Sequence, residues 1–249
     1  AALRCIETLG ASVRGADGGT VTIRGGLRPR GSILRVGESG LSTRLFTPIA
    51  ALCDMPVTIE GEGTLLSRPM HMMTAPLRAL GVEIADTGGR LPLRVRGPIR
   101  GGEVAVDGSV SSQFITGLLL ALPRAERDTT LYVQRAVSTP YLDMTLATAA
   151  RFGVEISQRD YEEFYIPGGQ RYEPADFAIE GDWSAAAMLL VMGATAGEIT
   201  VRNVSMLSKQ ADTAVCTALA RTGAAVIHEG QAVTAAHRPL HAFEFDATH

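Results

Sequence analysis

The chain has 249 residues, of which 46% are hydrophobic and 20% charged, and its formal net charge is −3 at pH 7. This size and composition are typical of a soluble globular protein, and so small a net charge excludes non-specific attraction of nucleic acid or an acidic membrane. The longest apolar run, Ile115 to Pro123, is too short to cross a membrane. The three cysteines lie far apart without a CxxC pair, so we expect neither a disulfide framework nor a zinc site, and we predict a cytoplasmic protein.

The sequence repeats itself about every 70 residues. A β-like segment, a Gly/Ser-rich turn and an apolar helical run occur together three times, in LRVGESGLSTRLFTPIAALC, VAVDGSVSSQFITGLLLALP and FAIEGDWSAAAMLLVMGATA. The glycines of the three turns are Gly37, Gly108 and Gly181. A second helix in each repeat is followed by another regularly spaced glycine, and these are Gly10, Gly81, Gly153 and Gly223. Glycine just past a helix end takes the left-handed conformation that stops the helix, so these positions have a physical reason to recur.

In chain order, each repeat predicts a strand, a helix, a strand, a second helix and two closing strands. The chain opens in the second helix of a repeat, continues through two whole repeats and enters a third at FAIEGD. Its last segment, HAFEFDATH, aligns with GGEVAVDGSV, where another turn and helix are due. We therefore expect an internal piece of a longer protein, incomplete at both ends, with a complete protein that has ragged terminal repeats as the alternative.

The predicted fold class is α/β. Each repeat has one sheet and two helices whose apolar faces only copies of themselves can cover, so we expect the repeats to pack around a common helical core with the sheets outside. Because both ends are expected to be incomplete, the helix faces that carry Leu189 and Leu219 should be less covered than in a complete domain and should favour self-association.

The Gly/Ser-rich helix starts are candidate anion sites, since backbone N–H groups and the helix dipole converge there. The first, from Gly37 to Arg44, adds an arginine, and the second, from Ser109 to Gln113, offers three hydroxyls and an amide. Ordinary N-capping by serine is the alternative, and it is the preferred interpretation of the third turn, Gly181 to Ser184. Many arginines beside the single lysine, Lys209, favour a small phosphorylated ligand.

Arg68 and the segment from Ser138 to Tyr141 precede equivalent helices in two successive repeats. An arginine at a helix entrance can bind a carboxylate or phosphate with two hydrogen bonds, although a solvated surface arginine is the default interpretation. Different polar groups at one structural position indicate an asymmetric ligand between the repeats. No HExxH, P-loop or paired-cysteine pattern is present, so we expect no metal site.

At these residues the chain resembles a known family. VDGSVSSQFITGLLLALP, VSTPYLDMTLATAARFGVEI and IEGDWSAAAMLLVMGA resemble 3-phosphoshikimate 1-carboxyvinyltransferase, or EPSP synthase, over essentially the whole chain. The resemblance implies an inside-out α/β barrel with two similar domains of three repeats each. It implies transfer of the enolpyruvyl group of phosphoenolpyruvate to the 5-hydroxyl of shikimate 3-phosphate, in aromatic amino acid biosynthesis, without metal or organic cofactor.

The resemblance also assigns roles to individual residues. The positions that match shikimate 3-phosphate contacts of the family are Ser111, Ser112, Gln113, Ser138 and Tyr141. The positions that match its phosphoenolpyruvate contacts are Gly40, Arg68 and Gln113. The Asn-Ala-Gly-Thr turn of the family is replaced by Glu38-Ser39-Gly40-Leu41, which puts a carboxylate beside the expected anion site.

The resemblance further implies that the catalytic groups lie outside the chain. The family's N-terminal Lys-Ser…Arg motif would precede Ala1, and its catalytic Asp would follow His249 directly. We therefore expect no catalytic residue within the chain and no activity from it alone, because proton transfer at the transferred carbon and at the hydroxyl needs those groups. Glu38 is expected to be held by Arg44 or by a helix end rather than poised for proton transfer.

On this interpretation residues 1–178 form most of the first domain, without its first strand and helix, and residues 179–249 form one repeat of the second. The partners expected are the two substrates, with no nucleic acid, no membrane and a monomeric parent protein. Two alternatives stay open: a UDP-N-acetylglucosamine enolpyruvyl transferase, whose catalytic cysteine has no convincing counterpart here, and a non-catalytic phosphate-binding repeat module.

Overall fold

A computed structural model of the chain describes residues 1–15, 19–109 and 111–246. Val110, in the second Gly/Ser-rich turn, and His249, at the end of the last predicted strand, lie outside these ranges. The chain divides into two compact bodies, Ala1–Pro174 and Ala175–His249. This division falls close to the predicted boundary after residue 178, although the assignment of the two bodies to domains of a larger protein stays a prediction.

The first body opens with the last three elements of a repeat and continues with two whole repeats. The opening elements are α1 (Ala2–Thr8), β1 (Ser12–Arg14) and β2 (Thr22–Arg24). The first whole repeat comprises β3 (Ile33–Arg35), α2 (Gly40–Ala50), β4 (Val57–Glu60), a 3-10 turn (Gly63–Ser67), α3 (His71–Ala79), β5 (Glu83–Ala85) and β6 (Leu93–Arg96). The second comprises β7 (Gly102–Asp107), α4 (Ser112–Ala121), a 3-10 turn (Leu122–Arg124), β8 (Thr129–Gln134), α5 (Thr139–Arg151), β9 (Ser157–Arg159) and β10 (Glu163–Ile166).

Both whole repeats have the predicted order of elements and build the same sheet. The strand orders are β3-β4-β6-β5 and β7-β8-β10-β9, so the first two strands of a repeat are neighbours, the fourth lies next and the third is at the edge. The first pair is parallel in each sheet and the other pairs are antiparallel. The repeat register predicted from the glycines is therefore confirmed.

The second body contains most of one further repeat. Its elements are α6 (Trp183–Ala196), β11 (Glu198–Arg202), a 3-10 turn (Ala211–Thr213), α7 (Ala214–Arg221), β12 (Ala225–Glu229) and β13 (Ala232–Ala236). The sheet order β11-β13-β12 matches the strand order of the two whole repeats, except that the first strand of the repeat is missing from the sheet.

Two predicted strands of the second body do not form. The segment FAIEGD makes only end contacts with β11, from the Gly181 N–H to the Asn203 carbonyl at 2.6 Å and from Asn203 Nδ2 to the Ile179 carbonyl at 3.4 Å. Ile179 is 81% exposed, so this segment has no buried face that would hold it in hydrogen-bonded pairing with a neighbouring strand. The described part of HAFEFDATH likewise forms no strand, and its amide at His241 donates instead to the Thr222 carbonyl at 2.9 Å.

The four helix-stop glycines behave as predicted. Their φ angles all lie in the left-handed region, at 112° for Gly10, 85° for Gly81, 77° for Gly153 and 93° for Gly223. A side chain is disfavoured at such angles, which is why the same residue recurs where each second helix ends.

Helices pack against each other in the core of the first body, in agreement with the expected packing of the repeats around a common helical core. Helices α2 and α4 cross in direct contact, because Gly117 lets α4 approach the backbone of Arg44: a Cβ at Gly117 would lie 2.4 Å from the Arg44 carbonyl oxygen. Strands such as β6 turn alternate residues inward and outward, which leaves the outer faces of the sheets exposed. Among the described residues, no helix is both long and apolar enough to cross a membrane.

The expectation about uncovered helix faces is confirmed at one residue and wrong at the other. Leu189 on α6 is 43% exposed, and its neighbours Met188 and Met192 are 72% and 58% exposed. Leu219 on α7 is only 7% exposed, because it packs with Cys216 and Ala224 in the small core of the second body. The face of α7 is covered by its own repeat, whereas that of α6 is not.

Candidate functional site

Parallel strand pairs bring the predicted site turns to the same sheet edges. In β3 and β4 the paired residues at the carboxyl end are Arg35 and Glu60, so the turn before α2 and the 3-10 turn leading to Arg68 leave the sheet side by side. In β7 and β8 the last pair is Asp107 and Gln134. The turns that lead to Ser111 and Ser138 therefore also begin next to each other, because neighbouring parallel strands end at the same edge.

Side chains cap all three Gly/Ser-rich helix starts. Ser39 Oγ accepts from the Ser42 N–H at 3.1 Å, and Ser111 Oγ accepts from the Gln113 N–H at 3.1 Å. The third start is capped by the carboxylate of Asp182, which accepts from the N–H groups of Ser184 and Ala185. The third turn thus has the cap that the sequence indicated, and a carboxylate fills its anion position.

Four residues from three separate segments meet between the first turns of α2 and α4. Arg44 Nη1 donates to Gln113 Oε1 at 3.3 Å. A Cβ at Gly40 would lie 2.7 Å from Arg44 Nη1 and 3.2 Å from Arg68 Nη1, so both guanidinium groups flank the same glycine. The structure therefore brings together Gly40, Arg68 and Gln113, three of the predicted site residues, and adds Arg44.

This cluster carries two positive charges, and no described carboxylate is in ion-pair contact with either of them. Neither Arg44 nor Arg68 forms an ion pair with any described residue. Arg44 is only 9% exposed and its Nε has no hydrogen-bond partner. Burial lowers the pKa of Arg44, and the charge of Arg68 lowers it further. Two arginines at two helix N-termini create an electrostatic environment suited to an anion.

Glu38 is held differently from one of the two expectations. Arg44 does not contact it; instead Glu38 Oε2 accepts from Thr64 N at 3.0 Å and from Thr64 Oγ1 at 3.1 Å, at the start of the 3-10 turn. These two hydrogen bonds lower the pKa of Glu38, and the charge of Arg68 contributes less. The Glu38 carboxylate is therefore ionised and ties the turn before α2 to the turn that carries Arg68.

Ser138 and Tyr141 lie at the start of α5, beside α4. Ser138 has the left-handed angles φ 55° and ψ 45°, and its side chain makes no capping bond to the helix. Tyr141 is 41% exposed. The Thr116 and Thr145 hydroxyls meet at 3.2 Å between α4 and α5, and Thr145 Oγ1 also donates to the Tyr141 carbonyl. The contact between these helices lies beyond the first turn of each.

Comparison with known proteins identifies the family. A sequence model of the family described as EPSP synthase (3-phosphoshikimate 1-carboxyvinyltransferase) matches residues 1–248. The chain belongs to the EPSP synthase family. The resemblance found in the sequence motifs is confirmed, and with it the fold class.

Several named relatives share the EPSP synthase name. The 3-phosphoshikimate 1-carboxyvinyltransferase of Methanocorpusculum labreanum is 34% identical in an alignment that covers 99% of this chain and 59% of the relative. The 3-phosphoshikimate 1-carboxyvinyltransferase of Photobacterium damsela subsp. piscicida is 36% identical in an alignment that covers 87% of this chain and 52% of the relative. A solved EPSP synthase from Acinetobacter baumannii superimposes with a TM-score of 0.75 at 27% identity, over 94% of this chain and 54% of that one. The chain thus spans about half the length of the relatives it matches.

Arg44 is the residue of this cluster to which the sequence analysis assigned no ligand. The signal was available, because Arg44 lies one helical turn after Gly40, inside an apolar run that predicts a buried helix face. A charged residue on such a face needs a partner, and the structure supplies Gln113 from the next repeat. The departure at Glu38 is explained by Thr64, whose N–H and hydroxyl donate to the carboxylate.

Proposed function

We propose that this chain carries the shikimate 3-phosphate side of an enzyme that transfers the enolpyruvyl group of phosphoenolpyruvate to the 5-hydroxyl of shikimate 3-phosphate. The observation that carries the proposal is a pair of arginines that form no ion-pair contact with a described carboxylate, Arg44 and Arg68, beside the N-termini of α2 and α4. Both substrates carry a phosphate and a carboxylate, so both suit such a site. Membership of the EPSP synthase family supports this reaction.

The site residues divide between the two substrates by position. The resemblance to the family assigns Ser111, Ser112, Ser138 and Tyr141 to shikimate 3-phosphate. Their position supports the proposal, since they lie at the starts of two helices that leave one sheet edge. Gly40 and Arg68 are proposed to bind phosphoenolpyruvate, and Gln113 to contact both substrates, since it lies where the two groups of residues meet.

The chemistry requires an addition followed by an elimination. The 5-hydroxyl oxygen adds to the phosphate-bearing carbon of phosphoenolpyruvate, its proton leaves, and a proton reaches the methylene carbon. Loss of phosphate and of one proton then restores the double bond. These steps need general acid and base groups, whereas Glu38 is engaged by Thr64 and Tyr141 is assigned to binding. We therefore infer that the 249-residue chain does not turn over by itself.

The proposal also covers cofactors, partners, cellular location and domain organisation. We propose that the protein uses no organic cofactor or metal, acts as a monomer in the cytoplasm and binds neither nucleic acid nor membranes. The described residues contain no group of three His, Cys, Asp or Glu side chains placed to hold a metal ion. We also propose that residues 1–178 belong to the first domain of the enzyme and residues 179–249 to the second.

Phosphate release measures the reaction directly. The protein expressed from its complete gene should release phosphate only when both substrates are present, whereas the 249-residue chain should bind shikimate 3-phosphate weakly and release none. Turnover by the chain within about tenfold of the complete protein would show that the catalytic groups are wrongly assigned. Phosphate binding by the complete protein without any turnover would instead support a non-catalytic binding module.

Gln113→Ala tests the site itself. Loss of this hydrogen-bonding group, where the two substrates are proposed to meet, should weaken the binding of each substrate by about 1–3 kcal/mol. Gln231→Ala, which removes an exposed glutamine of the second body, is the matched control. Calorimetric titration of the complete protein gives both affinities, and an unchanged affinity for shikimate 3-phosphate would remove Gln113 from the site.

A further inference from the structure

The orientation of the Gln113 carboxamide follows from its neighbour. A guanidinium group only donates hydrogen bonds, and a carboxamide has one end that accepts and one that donates. Because Arg44 Nη1 lies 3.3 Å from the end of the Gln113 side chain, that end must be the oxygen. The NH2 group is then the end left for another partner.

Arg44 is itself held in place by packing. It is 9% exposed within α2, and Gly117 of α4 approaches the Arg44 carbonyl closely enough to exclude any side chain. The absence of a side chain at Gly40 leaves room for Nη1, since a Cβ there would lie 2.7 Å from it. A side chain that is buried to this extent has few alternative rotamers to adopt.

We propose that Arg44 is a positioning residue that holds the Gln113 carboxamide with its NH2 group directed toward the bound anion. The inference rests on the proposed function and deepens it, since it makes Gln113 a donor to both phosphorylated substrates. Without Arg44 the carboxamide can turn its oxygen toward the anion, where the two would repel. Arg44 thus acts on the ligand through Gln113, in addition to its general positive charge.

The inference predicts a specific pattern of coupling between the two residues. In the protein expressed from its complete gene, Arg44→Lys keeps the charge but loses the planar fork that fixes the amide. It should raise the KM for phosphoenolpyruvate about tenfold, the effect of one charge-assisted hydrogen bond. In a Gln113→Ala background the same substitution should change that KM by less than about twofold, because the group on which Arg44 acts is gone.

A second variant separates orientation from simple contact. Gln113→Glu keeps an oxygen that accepts from Arg44 and replaces the NH2 donor by a second oxygen. It should therefore weaken the binding of phosphoenolpyruvate at least as much as Gln113→Ala does. Arg94→Lys, on the exposed face of β6, is the matched control and should leave KM and kcat unchanged. Circular dichroism melting of each variant shows whether the fold is retained.

The outcomes separate this inference from the proposed function. If the effect of Arg44→Lys is as large in the Gln113→Ala background as in the wild type, Arg44 acts on the ligand directly and the positioning role is wrong. If Gln113→Glu binds phosphoenolpyruvate as well as the wild type, the NH2 group is not the ligand donor. If the wild type has no transferase activity, the proposed function fails, and the same double-mutant comparison is made with inorganic phosphate binding by calorimetry.

Discussion

The crossing of α2 and α4 at Gly117 connects the packing of the core to the geometry of the site. A Cβ at Gly117 would lie 2.4 Å from the Arg44 carbonyl oxygen, 3.1 Å from Leu45 Cα and 3.2 Å from Pro48 Cγ. Two of these are backbone atoms of a buried helix and the third belongs to a rigid ring. Gly117→Ala therefore forces the helices apart, because no flexible side chain can move out of the way.

The size of the displacement can be worked out from these contacts. Ordinary contact begins near 3.4 Å, so the helices must separate by about 1 Å at this point. Such overpacking costs about 1–3 kcal/mol of unfolding free energy, and each kcal/mol lowers the melting temperature by about 2–4 °C in a chain of this length. The Arg44–Gln113 hydrogen bond is already 3.3 Å long, so the same displacement would break it.

Two measurements test this reasoning. Thermal denaturation followed by circular dichroism should show the lower melting temperature of Gly117→Ala, and calorimetry should show weaker binding of shikimate 3-phosphate. Gly25→Ala is the matched control, because a Cβ there meets nothing within 4 Å and the backbone angle is not left-handed. A Gly117→Ala protein with wild-type melting temperature and affinity would refute the link between helix packing and the site.

Three further predictions address the charged turn, the phenol of Tyr172 and the exposed helix face. Glu38→Gln keeps the oxygen that accepts from Thr64 but removes a negative charge near Arg68. The KM of the complete protein for phosphoenolpyruvate should therefore fall about twofold to fivefold. Glu38→Ala should instead raise this KM, because the turn is no longer held. Burial raises the pKa of Tyr172 to about 12, so the folded chain keeps a proton that the unfolded chain loses near pH 10; stability against urea should fall between about pH 10 and 12, and less steeply in Tyr172→Phe. Met188 is 72% exposed on α6, so Met188→Glu should lower self-association of the 249-residue chain in sedimentation experiments.

Each of these predictions has a result that would contradict it. Equal KM values for Glu38→Gln and Glu38→Ala would mean that the hydrogen bonds to Thr64 do not hold the turn of Arg68. A stability profile that is the same for Tyr172→Phe and wild type above pH 10 would show that the phenol is not protected. Unchanged sedimentation of Met188→Glu would show that the α6 face is not the surface through which the chain associates.

The repeat and its helix boundaries were predictable from sequence because they depend on neighbouring residues. Left-handed glycines such as Gly81 stop helices through their own backbone angles, and Ser111 caps α4 through a hydrogen bond two residues away. The order of strands and helices in each whole repeat followed from the same local signals. The convergence of Gly40 with Arg68 was expected only through the resemblance to the EPSP synthase family.

The sequence by itself determined the local conformations, the repeat and the family, whereas contacts between distant segments decided the rest. The segment around Ile179 has the composition of a strand, yet it pairs with β11 only at its end. Leu219 and Leu189 were both expected on uncovered helix faces, but only α7 has a neighbouring surface that covers its leucine. The role of Arg44 depends on Gln113, 69 residues away, because a buried charge is defined by what surrounds it and not by its place in the chain.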